Sequence, residues 1–256
     1  MAKLIRMDLY RMLKSRSFLV CLVVAFLISL SSSPLARLLL NLAITLSGET
    51  KETIEAEVKL SAIFQNPFPL ISATVALISL CYFFYADVEN GYIKNIAGQM
   101  PMKGFTILSK FAAAAVHNLI FAVVCIIGDI TGTILVMRVV PDDAVLEGLR
   151  VLALKLLLYQ SIAAILLLVV TTFRSKALGM ILAVLFGMEF APLIYMGINE
   201  GLRQVFGPDT DISRYMPDTV MNENPLDTVK AILVAVVSGA VFLLPAIRIF
   251  DRKDVK

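Results

Sequence analysis

The sequence predicts an all-α polytopic membrane protein, and three observations carry that prediction. Hydrophobic residues make up 59% of the 256 and charged residues 17%, with a mean hydropathy of +0.84. That is more apolar surface than a soluble domain of this size buries. The apolar residues fall in stretches of roughly 20, the length a helix needs to cross the hydrocarbon layer. The polar connections between these stretches alternate in charge, as loops do on the two sides of a bilayer.

Residues 1–16 read as an amphipathic interfacial helix. Ile5, Leu9, Met12 and Leu13 share one face of a 3.6-residue wheel, and Lys3, Arg6 and Lys14 occupy the other. Six spans follow, at about 17–36, 67–85, 105–136, 151–173, 177–197 and 229–250. The basic start, the apolar run from Phe18 and the small residues Ser31 to Ser33 also fit a secretory leader. Pro34 stands where cleavage would be disfavoured, and removing the segment would leave five spans with an awkward topology.

Charge placement supplies the orientation. With the N-terminus, the second and fourth loops and the tail on the cytoplasmic side, 14 of the 23 basic residues lie there, among them Lys94, Lys103, Lys110, Arg174 and Lys176. The outer side takes the other nine together with 13 acidic residues, from Glu49 to Asp227. Both termini are therefore expected in the cytoplasm. In the first outer loop, Thr50 to Leu60 carries helix formers and a Glu55/Lys59 spacing that predict a short surface helix. The second, Ile198 to Thr228, contains Pro208, Pro217 and Pro225 and predicts turns with little regular structure. The net charge of +3 is too small to indicate a nucleic-acid partner.

Motif absences exclude several functions. There is no phosphate loop, no H-E-x-x-H, no C-x-x-C and no G-x-S-x-G, so the chain cannot hydrolyse ATP by itself and no catalytic or metal-ligating set is expected. His117 is the sole histidine and reads as a hydrogen-bonded helix residue. Cys21, Cys81 and Cys125 fall inside predicted spans, where thiols act as small apolar groups. No cofactor is expected on this chain.

Two acids, Asp129 and Glu189, lie inside predicted spans. A charge there is costly enough to mark either a path or a pairing, so each is a candidate substrate-path residue or a simple interhelical acceptor. Pro192 follows Glu189 by three residues and predicts a bend there. Gly128 and Gly132, and Gly179, Ala183, Gly187 and Ala191, are small residues spaced by four, the pattern of close helix contacts within a subunit or at a dimer seam.

The connection after the second span, residues 86–104, holds the most specific stretch: Asp87 and Glu89, then Asn90, Gly91, Tyr92, Ile93, Lys94 and Asn95, then Pro101 and Lys103. It resembles the first cytoplasmic loop of ABC-type-2 exporter permeases. The interfacial helix ending in Lys14, Ser15 and Arg16, and the closing Phe250-Asp-Arg-Lys-Asp-Val, resemble that family's two ends. The resemblance implies a bacterial inner-membrane permease that pairs with a second permease and with separate ATPase subunits, which bind ATP and Mg. It also implies that Asp87, Glu89, Asn90, Gly91, Tyr92 and Lys94 belong to a coupling helix seated on the ATPase, and that the cargo is a peptide or an amphipathic, drug-like molecule. Two alternatives are a secondary transporter relaying protons through Asp129 and Glu189, which lacks the inverted repeats such carriers show, and an intramembrane enzyme, which the missing motifs disfavour.

Overall fold

The computed structural model describes residues 2–47, 57–69, 71–89, 104–207, 211–223 and 225–252. Over these the chain forms helices α1 (Ala2–Leu13), α2 (Arg16–Ser47), α3 (Leu60–Gln65), α4 (Ser72–Glu89), α5 (Phe105–Val136), α6 (Val145–Phe173), α7 (Lys176–Gly187), α8 (Ala191–Phe206), α9 (Pro217–Met221) and α10 (Thr228–Arg252). Two three-residue strands, β1 (Glu57–Lys59) and β2 (Arg138–Val140), pair in parallel with Val58 opposite Val139. Among the described residues four helices are long and apolar enough to cross a membrane: α2 over Arg16–Leu39, α5, α6, and α10 over Thr228–Asp251. This is the architecture of an all-α, multi-pass membrane protein.

The central helix is α6, whose Leu154, Leu158, Ile162, Leu166, Leu167 and Val170 are all buried. It is flanked by α10, α5, α4, α7 and the short α3. Outer helices keep the lipid-facing look expected of them: on α2, Leu19, Val20, Val23 and Leu27 remain at least half exposed, which in a bilayer is contact with acyl chains.

Close approach depends on the spaced glycines, and the contacts lie within one subunit. An ideal Cβ on Gly128 would sit 2.9 Å from the Phe26 carbonyl oxygen, and one on Gly132 only 2.1 Å from that of Leu30. Pro34 explains the second contact. It lies inside α2 without an N–H, so the Leu30 carbonyl one turn earlier has no intrahelical donor and leans toward α5. Gly179 meets Val170 and Cys81, Gly187 meets the Thr74 backbone, and Ala183 is wholly buried.

Several expectations are corrected. The stretch 177–197 is not one continuous helix, because α7 and α8 meet at 96°. Pro192 sits in the first turn of α8, where it blocks continuation of α7, and Glu189 turns the corner at a φ of 59°. The predicted bend is thus a break. The span expected from Pro67 begins as a helix only at Ser72, whose hydroxyl donates to the Pro69 carbonyl at 2.6 Å. Its apolar stretch, Ser72–Asp87, is shorter than a full span.

Outside the spans, Glu57 to Lys59 is strand and not helix; Gly48 to Ala56 lies outside the described residues. The 198–228 loop is more ordered than its prolines suggest. Within it α8 runs on to Phe206, Asn199 donates to Asp211 at 2.7 Å, and Tyr195 donates to Asp218 at 2.8 Å.

Asp142 fixes α3 to the connection between β2 and α6. The Ser61 hydroxyl donates to it at 2.6 Å and the Ser61 N–H at 3.2 Å. The hydroxyl bond holds the carboxyl below its ordinary value. A depressed folded value contributes stability that is present above the ordinary carboxylate range, near ~3.9, and is lost as pH falls through the folded value. Lowering the pH from about 5 to about 3 is therefore expected to reduce the thermal stability of the wild type more than that of Asp142→Asn. Equal losses would remove Asp142 as a source.

Candidate functional site

Three segments far apart in sequence converge where α1 meets the bundle. The buried stripe of α1 is Leu4, Asp8 and Met12, spaced by one turn each. An acid therefore sits in the middle of the helix's packed face, while Leu13, expected on the apolar face, is 45% exposed. Asp8 accepts from the Ser109 hydroxyl of α5 at 2.5 Å. Burial pushes its carboxyl above the ordinary range despite that bond and the nearby Lys110.

Arg11 links Asp8 to α4. Its guanidinium lies 3.9 Å from Asp8 and 2.7 Å from Asp87. The second Asp87 oxygen is 3.0 Å from the Lys110 ammonium, which also donates to the Phe84 carbonyl at 2.8 Å. Asp8, Asp87 and Lys110 are each no more than 3% exposed. Two cations and two acids thus form a buried, locally neutral cluster in which each charge has an opposite neighbour.

This placement changes the roles expected of two residues. Asp87 is paired with both Arg11 and Lys110 and so ties α4 to α1 and α5. Lys110, counted among the cytoplasmic basic residues, is a buried partner of Asp87. Glu89, the last residue of α4, is exposed. Asn90, Gly91, Tyr92 and Lys94 lie outside the described residues. Just before α5, the Gly104 N–H donates to the Asp251 carboxylate of α10 at 2.6 Å. An acid there also favours the start of α5. Both stems of the 90–103 segment are therefore fastened, one through Asp87 and the other through Asp251.

Beside the cluster opens a cavity of about 430 Å³. Its wall runs from Tyr10, Arg11 and Lys14 through Ser15 and Ser17 at the start of α2 to Tyr82, Asp87 and Glu89 of α4.

The two intramembrane acids do not come together. Asp129 faces α2, where it accepts from Ser32 and, at 3.3 Å, from Ser33; Ser33 and Thr133 are hydrogen-bonded at 2.7 Å. This serine latch lies beside the Gly128/Gly132 contact and is an interhelical pairing. Glu189 instead lines a small cavity of about 40 Å³ with Lys155, Tyr159, Asn66 and Asn222. Lys155, counted by charge sign among the outer basic residues, lies within the predicted span 151–173 and on α6. A basic residue within a span is itself a signal, and it supplies the charge that Glu189 faces.

His117 is wholly buried. Its Nε2 is 3.1 Å from the Ser79 hydroxyl and its ring stacks on Phe121 with centroids 4.4 Å apart. It is a packed helix residue. Among the described residues no group of His, Cys, Asp or Glu is placed to hold a metal ion. No protein-family model matches the chain, and no curated protein matches it either.

Proposed function

We propose that the chain is the membrane-spanning subunit of an ABC-type-2 exporter in a bacterial inner membrane. In this reading it has six spans, counting α4 and the bent α7–α8 pair, with both termini in the cytoplasm. It works with a second permease, identical or paralogous, and with separate ATPase subunits that hold ATP and Mg. The observation that supports it best is the fastening of both stems of the 90–103 segment to α1, α5 and α10. A loop so held passes a push from a bound ATPase into several helices as rigid-body tilt, whereas a slack loop would absorb it.

Under this proposal Glu89 and the following Asn90, Gly91, Tyr92 and Lys94 meet the ATPase, with Asp87 acting from behind. Glu189, together with Lys155, lies on the path of a peptide or amphipathic cargo, and Asp129 serves packing. Where a neighbouring reading frame encodes a soluble ATPase with a phosphate loop, the test is co-expression of that ATPase with this chain, followed by co-purification and transport in vesicles. Glu89→Lys and Gly91→Pro are expected to lose the ATPase from the complex. Glu189→Gln is expected to keep the ATPase and lose transport. ATP-independent transport driven by a proton gradient would overturn the proposal in favour of a secondary carrier.

A further inference from the structure

We propose that the cavity between α1, the start of α2 and α4 is a binding site for the headgroup of a zwitterionic aminophospholipid, of the phosphatidylethanolamine type. Its volume, about 430 Å³, falls in the range of ~300–1,000 Å³ typical of small-ligand sites. The lining carries both signs of charge. Arg11 and Asp87 are 2.7 Å apart and satisfy each other, so among the described lining residues Lys14 of α1 and Glu89 of α4 are the charges available to a ligand.

Lys14 donates to the Tyr10 hydroxyl at 2.9 Å and an ammonium has three donors, so two remain for a phosphate oxygen. Ser15 and Ser17 line the same cavity. The start of the 32-residue α2 adds the unpaired N–H groups and positive dipole end that anionic groups favour. The exposed Glu89 carboxylate is an acceptor for a primary ammonium. From the cavity α2 continues into the lipid-exposed stripe Val20, Val23 and Leu27, a surface for the acyl chains.

The aromatic residues separate ethanolamine from choline. A quaternary ammonium is held by open aromatic faces. Here Tyr82 already carries the Lys176 ammonium at 4.0 Å from its centroid, and Tyr10 is engaged through its hydroxyl by Lys14. The cation that remains welcome is one that donates hydrogen bonds to Glu89, which choline cannot do. A purely anionic headgroup would leave Glu89 facing a negative charge.

The test uses the purified full-length chain in detergent micelles and needs no ATPase, so its outcome is separate from that of the exporter proposal. Native mass spectrometry would follow binding of phosphatidylethanolamine, phosphatidylcholine and phosphatidylglycerol with matched acyl chains. The expected result is a preference of about tenfold for the ethanolamine lipid, the size of one charged hydrogen bond. Glu89→Gln is expected to erase the ethanolamine-over-choline preference, and Lys14→Gln to weaken all three lipids. Arg150→Gln, on a remote exposed site, is expected to change nothing.

Soluble glycerophosphoethanolamine serves as the second arm. If it competes as strongly as the lipid binds, the ligand is a free phosphodiester and the lipid proposal fails. Equal binding of the three lipids, a preference for phosphatidylglycerol, or a preference that survives Glu89→Gln would also overturn it.

Discussion

Replacing Asp87 with alanine is expected to lower the melting temperature of the purified chain by on the order of 10 °C. The carboxylate sits 2.7 Å from Arg11 and 3.0 Å from Lys110, and the Lys110 side chain is only 4% exposed. Removing one partner of a buried pair leaves an uncompensated charge and costs about 3–5 kcal/mol. A chain of this size loses roughly 2–4 °C for each kcal/mol. The double change Asp87→Ala/Lys110→Met is expected to recover most of the loss, because apolar replacement of both partners removes the stranded charge. A single variant that melts with the wild type, or a double variant no better than the single one, would show that the cluster does not hold α1, α4 and α5 together.

Gly132→Ala is expected to destabilise by about 1–3 kcal/mol or more, the range for overpacking, although alanine is the better helix former. The added methyl would lie 2.1 Å from the Leu30 carbonyl oxygen. Its neighbour is backbone, so α2 and α5 must separate to admit it. Gly128→Ala, at 2.9 Å from the Phe26 oxygen, is expected to cost less. A methyl group added at Gly239 would meet nothing within 4 Å, so Gly239→Ala should be neutral or stabilising by up to ~1 kcal/mol. Thermal denaturation of the three variants in one detergent ranks them. If Gly132→Ala is no worse than Gly239→Ala, close contact at Gly132 is not what joins the two helices.

What can be read in the sequence is what has a local cause. Hydropathy over 20 residues locates α2, α5, α6 and α10 because each meets the bilayer requirement by itself. The four-residue spacing of Gly128 and Gly132 marks a real contact, since such spacing has few uses apart from close packing. Pro192 points to the break at Glu189 for the same reason: the missing N–H acts on its own helix.

The remainder depends on partners that periodicity cannot supply. Asp8 and Ser109 are 101 positions apart, and on a helical wheel Asp8 reads only as an intruder on the apolar face. Lys155 answers Glu189 across a small cavity, a role that its charge sign does not reveal, although a basic residue inside a span is a signal in its own right. The strand at Glu57 to Lys59 is stabilised by pairing with Arg138 to Val140, a tertiary contact that overrides the helix preference of that segment. The order in the 198–228 loop escapes a reading from its prolines because Asn199, Asp211 and Asp218 each find a partner only once α8 has turned.

The buried cluster also sets an order in time. α1 leaves the ribosome well before the residues that neutralise Arg11 and bond Asp8, since Asp87, Ser109 and Lys110 follow about 100 residues later. At about 5–20 residues per second, α1 waits on the order of 5–20 s before its binding site exists. During that interval its polar and apolar faces are satisfied by the bilayer surface, where an amphipathic helix of this kind rests. Docking of the N-terminus is thus a late event of assembly, completed only when α4 and the start of α5 are in place.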